Sequence, residues 1–297
     1  YENSRADRLD DWYISTTGSD SNEGTSTSPL GTIAVAVAGA MDGDTINLSA
    51  GTYQQTFDPA GTDITLIGTA GSDSTTIDFS NFTSDGSNEP ISFDSGNNNY
   101  HYDSLKVKGI TFTGKWDDDS SEPFFDIRGE SDSTFTVLFE DVVFDDNDGG
   151  ALDFRDNVFV TIKDAVFNDN NYGSVHGGAI NYDNENYTNG NLTINNSTFT
   201  NNATTNSGGA IYAHNIGLTL NNCVLNSNTG NNGGAIRTDV ASIIMDSTIV
   251  NNNTATSGLA GGLNFSNSNV KITNSEIRSN ISTNSYGGGM NFSGQLT

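Results

Sequence analysis

An internal repeat restricts the fold of this chain more than any other feature. Apolar pairs separated by one residue recur as Leu105/Val107, Val137/Phe139, Val160/Ile162, Leu192/Ile194, Leu218/Leu220, Ile243/Met245 and Val270/Ile272. Each pair is followed at a fixed offset by a bulky residue: Phe112, Phe144, Phe167, Phe199, Leu225, Val250 and Ile277. From the second copy onward an asparagine stands three positions later, at Asn147, Asn170, Asn202, Asn228, Asn253 and Asn280. The start-to-start steps are 32, 23, 32, 26, 25 and 27 residues, a period that points to a solenoid or array.

Between these copies lies a glycine element: GGAL at 149–152, GGAI at 177–180, 208–211 and 233–236, AGGL at 260–263 and GGGM at 287–290. After it the chain alternates, as in Leu152-Asp153-Phe154 and Ile180-Asn181-Tyr182. Period-two alternation with β-branched and aromatic residues reads as half-buried strand. Each circuit therefore holds three short strands joined by bends, which predicts an all-β single parallel β-helix. About nine coils stacked at the strand spacing of about 4.8 Å would make a rod of some 40–50 Å. The handedness expected for parallel crossovers is right-handed. The asparagine row suits a turn where stacked amides satisfy one another, and the glycines suit bends that need positive φ or close backbone approach. The single cysteine, Cys223, falls where other copies carry Ala165, Ser197 or Thr248, so an inert inward position is expected.

Composition is consistent with this. Only 33% of the residues are hydrophobic, fewer than in an ordinary two-layer domain, but one narrow interior column needs no more. Eleven Lys+Arg against 37 Asp+Glu leave a net charge of -26. That excludes nucleic acid and anionic lipid as partners, since both need a basic surface. No apolar run is long enough for a spanning helix, so membrane insertion by this chain is not expected.

The ends differ from the repeats. Residues 1–11 read as a polar tail and 12–53 as a cap with the first coil, in which Ile33–Met41 is a short helix after Pro29 that plugs the open core. Residues 54–297 are β-helix repeats. The last coil reaches Gln295-Leu296-Thr297 without a polar capping helix, so a continuation of the chain or a partner subunit stacked end to end is expected there.

The GGA[IL] and F-x-x-N elements, as in Gly177–Ile180 and Phe199–Asn202, resemble the repeats of chlamydial polymorphic outer membrane proteins. That resemblance implies autotransporter-like surface display and adhesion. The stretch from Tyr13-Ile14-Ser15 through Gly43-Asp44-Thr45 to Ala50-Gly51-Thr52-Tyr53 is similar to the opening of secreted pectate-lyase-like β-helix proteins. Together these cover nearly all of the chain after Trp12, and they are specific for fold rather than function.

Three constellations are candidates for chemistry. Asp126, Asp153, Asp156 and Asp164 with Arg128 and Arg155 have the residue types of a Ca²⁺-dependent lyase, or of a cross-coil salt ladder on one outer face. The acidic runs Asp117-Asp118-Asp119 and Asp145-Asp146-Asn147-Asp148 are candidate Ca²⁺ turns or solvated charge. Their spacing matches neither the EF-hand nor the nonapeptide loop. In the inserted loops 84–103 and 114–133, Tyr100, His101, Tyr102 and Trp116 either offer exposed aromatics to a sugar or protein, or pack against the coil. Asp145-Asp146 with His176 has the residue types of a polygalacturonase site, but both lie at positions the repeat already explains.

The expectation is an extracellular, surface-displayed adhesin-like or structural module without catalysis. It needs no cofactor, with Ca²⁺ the ion its acidic turns would take. It binds glycan or protein, or assembles end to end. The competing expectation is a polysaccharide lyase or glycoside hydrolase acting on acidic glycans.

Overall fold

The computed structural model describes residues 10–81, 91–94, 100–115, 123–130, 134–185 and 190–296. It is a parallel β-helix with three sheets. The first sheet is carried by ten successive parallel pairings, from Asp11–Ile14 through Asp44–Leu48 to the strand Met290–Leu296. At about 4.8 Å per step the rod is about 48 Å long. The first rung is Asp11–Ile14 itself, which registers Trp12 against Ile46 and Ile14 against Leu48. The cap region thus begins inside the first sheet. The second sheet runs from Gly51–Tyr53 to Glu276–Arg278, and the third from Ile91–Asp94 through Leu152–Arg155, Ile180–Asp183, Ile211–His214 and Ile236–Asp239.

Single residues make the bends. Asp141, Asp164, Asn196, Asn222, Ser247 and Asn274 all have φ between 50° and 53°, so Phe135–Asp148 continues as one bent strand through two sheets. A second left-handed row, Asp146, Asp169, Asn201, Ser227, Asn252 and Ser279, turns the chain after the second sheet. Asp and Asn tolerate this region better than other side chains because they hydrogen-bond locally. The glycine pair serves the third bend. Gly208 has φ 75°, and a Cβ on Gly209 would lie 2.0 Å from the Gly234 carbonyl oxygen.

The core is the predicted column. The inward residues of all seven copies line it, and Phe112, Phe144, Phe167 and Phe199 stack face to face with centroids 5.0, 5.2 and 4.6 Å apart. Beside them runs the asparagine ladder. Nδ2 of Asn147, Asn170, Asn202, Asn228 and Asn253 donates to Oδ1 of the next member at 2.8–2.9 Å. Cys223 is fully buried, and burial pushes its thiol up to about 11.

The helix covers the first coil but ends earlier than its sequence suggests, at Gly39 rather than Met41. Ala40 turns extended, and its N–H bonds back to Val37. Thr32 caps the N-terminus. Asp20 holds the approach by accepting from the Gly31 and Thr32 amides and the Thr32 hydroxyl, and Ile33, Ala36 and Val37 enter the core. No helix among the described residues is long and apolar enough to cross a membrane.

Candidate functional site

The residues singled out by sequence separate in space. Tyr102 is fully buried, so it is no surface contact. Its ring stacks on Phe135 at 5.7 Å and its hydroxyl accepts the Gly61 N–H at 2.9 Å. Tyr100 packs against Gly61, where a Cβ would lie 2.8 Å from its ring. Of the three described members of this group, His101 alone is exposed, between Asp103 and Glu130 at 3.4 Å each. Trp116, Asp117, Asp118 and Asp119 lie outside the described residues.

In the second acidic run, Asn147 faces inward and opens the amide ladder, while Asp146 is a left-handed bend residue. Asp145 accepts from Asn168 at 2.8 Å and Asp148 from Asn171 at 3.2 Å. Asp146, Asp148 and Asp169 line a polar cleft of about 140 Å³. Among the described residues, however, no three His, Cys, Asp or Glu side chains converge as metal ligands. Backbone conformation and neighbouring amides already account for the acidic residues of this turn.

The lyase-like set is brought together, apart from Asp164. That residue sits at the bend between the first and second sheets, where Asn196 donates to it. The others stand on or beside the outer face of the third sheet, with Asp126 registered to Asp153 and Arg128 to Arg155. Arg155 Nη2 donates to both oxygens of Asp126 at 2.7 Å, and Arg128 Nε donates to Asp156 at 2.9 Å. Asp153 accepts from Tyr172 Oη at 2.8 Å and from Asn181 Nδ2 at 3.1 Å. Burial raises the Asp153 carboxyl to about 7; Asp126 pushes the same way and Arg155 opposes. Burial works against the Arg155 charge, but the Asp126 and Asp153 carboxylates more than offset it and raise its pKa. Burial, with the Asp153 charge, holds the Tyr172 phenol protonated far above its ordinary range. Asp153 is only 7% exposed and Tyr172 1%. The arrangement is a cross-coil ladder closed on itself, with its titratable acid out of solvent.

The next rungs of the same face are open. Asp183 Oδ1 and His214 Nδ1 are 2.8 Å apart, and both side chains are half-buried. The His176 imidazole lies on the Tyr212 ring with centroids 4.2 Å apart and planes within 19°. Burial lowers the His176 pKa, so the ring stays neutral. Arg237 donates to Asp239 at 2.6 Å and to Ser266 at 2.7 Å. Sequence reasoning assigns His176 to the repeat and does not single out Asp183, Tyr212, His214, Arg237 or Asp239. The available signal was the outward pair of each third-sheet strand, which changes from Asp153/Arg155 to Asn181/Asp183, Tyr212/His214 and Arg237/Asp239 while the first inward position stays Leu or Ile.

Comparison with known proteins agrees with the fold. The profile of a family described as "Protein of unknown function (DUF1565)" matches residues 16–59, the cap and first coils. No curated protein sequence matches. Among solved structures, a lacto-N-biosidase from Eubacterium ramulus superposes with a TM-score of 0.50 at 12% identity over 90% of this chain, which spans 56% of that one. A rhamnogalacturonan lyase superposes with a TM-score of 0.47 at 15% identity, covering 90% of this chain and 75% of that one. At such identities the likeness is one of fold.

Proposed function

We propose that this chain is an extracellular, surface-displayed β-helix module that binds a glycan partner and carries out no chemistry on it. The observation that carries this reading is the state of its cations. All four arginines among the described residues, Arg128, Arg155, Arg237 and Arg278, are paired with carboxylates, and Lys108 and Lys163 share Glu140. A lyase acting on an acidic glycan needs a free cation to neutralise the uronate and a basic residue to take the proton. Here the four arginines, Lys108 and Lys163 are already engaged by the protein's own acids, within a chain of net charge -26. Among the described residues, the carboxyl with a strongly raised pKa, Asp153, is buried with hydrogen-bond donors on both oxygens.

A rigid ladder of outward side chains is suited to recognition instead, because the strands fix their spacing and little ordering entropy is lost on binding. The resemblance of the repeats to those of bacterial surface proteins supports display outside the cell. The reading needs no cofactor. The test is a glycan array probed with the chain, run beside depolymerisation assays on pectin, alginate and neutral polysaccharides. Retention on arrayed glycan with no release of reducing ends or unsaturated product is the expected result. Turnover of any of these polymers that is lost in Asp153→Ala would refute the reading.

A further inference from the structure

We infer that the glycan-binding surface is the open stretch of the third sheet's outer face built by His176, Asp183, Tyr212, His214, Arg237 and Asp239, and that it takes uncharged oligosaccharides. This rests on the glycan-binding reading above and adds the place and the ligand class.

Three consecutive strands, Ile180–Asp183, Ile211–His214 and Ile236–Asp239, are in register, so Asp183, His214 and Asp239 form one outward column and Tyr212 and Arg237 stand in the next. Asp183, His214 and Asp239 are each held on one side and open on the other. Asp183 uses one oxygen on His214 Nδ1, leaving the second oxygen and the far nitrogen of the imidazole. Asp239 uses one oxygen on Arg237, whose other bond goes to Ser266. Asp183, His214 and Asp239 are about 30% exposed, at 28%, 29% and 30% of their side-chain surface. They are oriented before any ligand arrives, which lowers the cost of capturing one.

The chemistry selects the ligand. A sugar hydroxyl both donates and accepts, and therefore suits a column that alternates carboxylate, imidazole and carboxylate. A uronate or sulfate only accepts, and it would face Asp183 and Asp239 with Arg237 already engaged. The His176 imidazole, stacked on the buried Tyr212 ring, adds a flat aromatic surface beside these groups for the C–H face of a pyranose. Because burial keeps His176 neutral, that surface adds no charge. Elsewhere on the same sheet the outward groups offer less. Asp126 and Arg155 close on each other, and Asn264 and Asn291 bond across coils.

The chain has only three histidines, which makes the imidazoles usable as reporters, with His101 as an internal control on a different part of the surface. The experiment titrates the ¹⁵N-labelled chain with cello-, xylo-, manno- and chito-oligosaccharides and with oligogalacturonate, following the ring resonances. Affinities are measured by calorimetry for the wild type, His214→Ala, Asp239→Ala and the control Lys163→Ala. A neutral oligosaccharide should shift His176 and His214 and leave His101 in place. His214→Ala and Asp239→Ala should each weaken binding about tenfold, the loss of one to two hydrogen bonds, while Lys163→Ala binds as wild type. If a neutral sugar binds but both variants retain wild-type affinity, the location is wrong and glycan binding stands. Tighter binding of oligogalacturonate than of any neutral sugar overturns the ligand class. If none of the probes binds, the glycan-binding reading falls with the inference.

Discussion

Replacing Asn202 by alanine tests the central structural claim, that the amide ladder and not only the apolar column holds successive coils together. The Asn202 side chain makes four hydrogen bonds. Its Nδ2 donates to Asn228 Oδ1 at 2.9 Å and to the Phe167 carbonyl at 3.0 Å, and its Oδ1 accepts from the Asn170 backbone N–H at 3.2 Å and Asn170 Nδ2 at 2.8 Å. All are buried, so no water replaces them. At about 1 kcal/mol per bond the loss is about 4 kcal/mol, and the stranded Asn170 donors add to it. For a chain of this size that corresponds to a fall in Tm of about 8 °C. Asn147 makes only the two donated bonds, to Asn170 and the Phe112 carbonyl, and its Oδ1 has no partner. Asn147→Ala should therefore cost about half as much, about 2 kcal/mol. Guanidinium unfolding followed by far-UV circular dichroism gives the global values. Hydrogen exchange at the Asn170 amide gives the local one, which matters because solenoid stability is a sum over neighbouring coils. Equal effects at positions 147 and 202, or a cost below about 1 kcal/mol at Asn202, would show that the ladder follows from the stacking and does not hold it.

The Asp153 carboxyl, raised by burial to about 7, makes stability depend on pH in the direction opposite to a salt-bridged acid. Between the unfolded value near 3.8 and about 7 the folded state holds a proton that the unfolded state has lost, so stability falls as pH rises through that window and levels off above it. Asp153→Asn should flatten that component, read as Tm against pH from 4 to 8; an unchanged slope refutes the assignment. Glycine positions separate by environment: Gly209→Ala drives a Cβ to 2.0 Å from the Gly234 carbonyl oxygen, whereas at Gly217 the nearest atom is 3.8 Å away. Thermal melts should show several kcal/mol lost at position 209, or no folded protein, and a change within about 0.5 kcal/mol at 217.

The parts of this molecule that could be read from sequence are those where a side chain is itself the repeated structural element. The inward pairs, the asparagine row and the glycine pairs recur because each coil presents the same surface to the next, and a change in one rung would leave two neighbours unpaired. Tyr102 stands in an insertion, where the repeat no longer says which way a residue points, so sequence leaves surface contact and packing against the coil both open; the packing against Phe93 and Phe135 decides for the second. The acidic turn at Asp145–Asp148 invited a metal because its residue types fit one. The same types also suit left-handed bends and cross-coil amide bonds, and spacing alone does not separate the two.

The outer face of the third sheet was hardest to read for a related reason. Cross-coil partners such as Asn181 with Asp153 and His214 with Asp183 are 28 and 31 residues apart, and coil lengths vary from 23 to 32. A pairing therefore becomes visible only when each circuit closes. Outward positions are also free of the core's demands. Once the inward column, the ladder and the bends are satisfied, any soluble residue serves on a surface strand, as the last two rungs show with Asn264/Ser266 and Asn291/Ser293. Tyr212, His214 and Arg237 on two adjacent rungs depart from that background, at sites where the coil itself requires none of them. A tyrosine buried under a histidine is also a costly way to cover a surface that asparagine covers elsewhere. The proposed glycan contact would give these residues a role that the coil does not, and it predicts that specificity follows substitutions on this face rather than in the acidic turns.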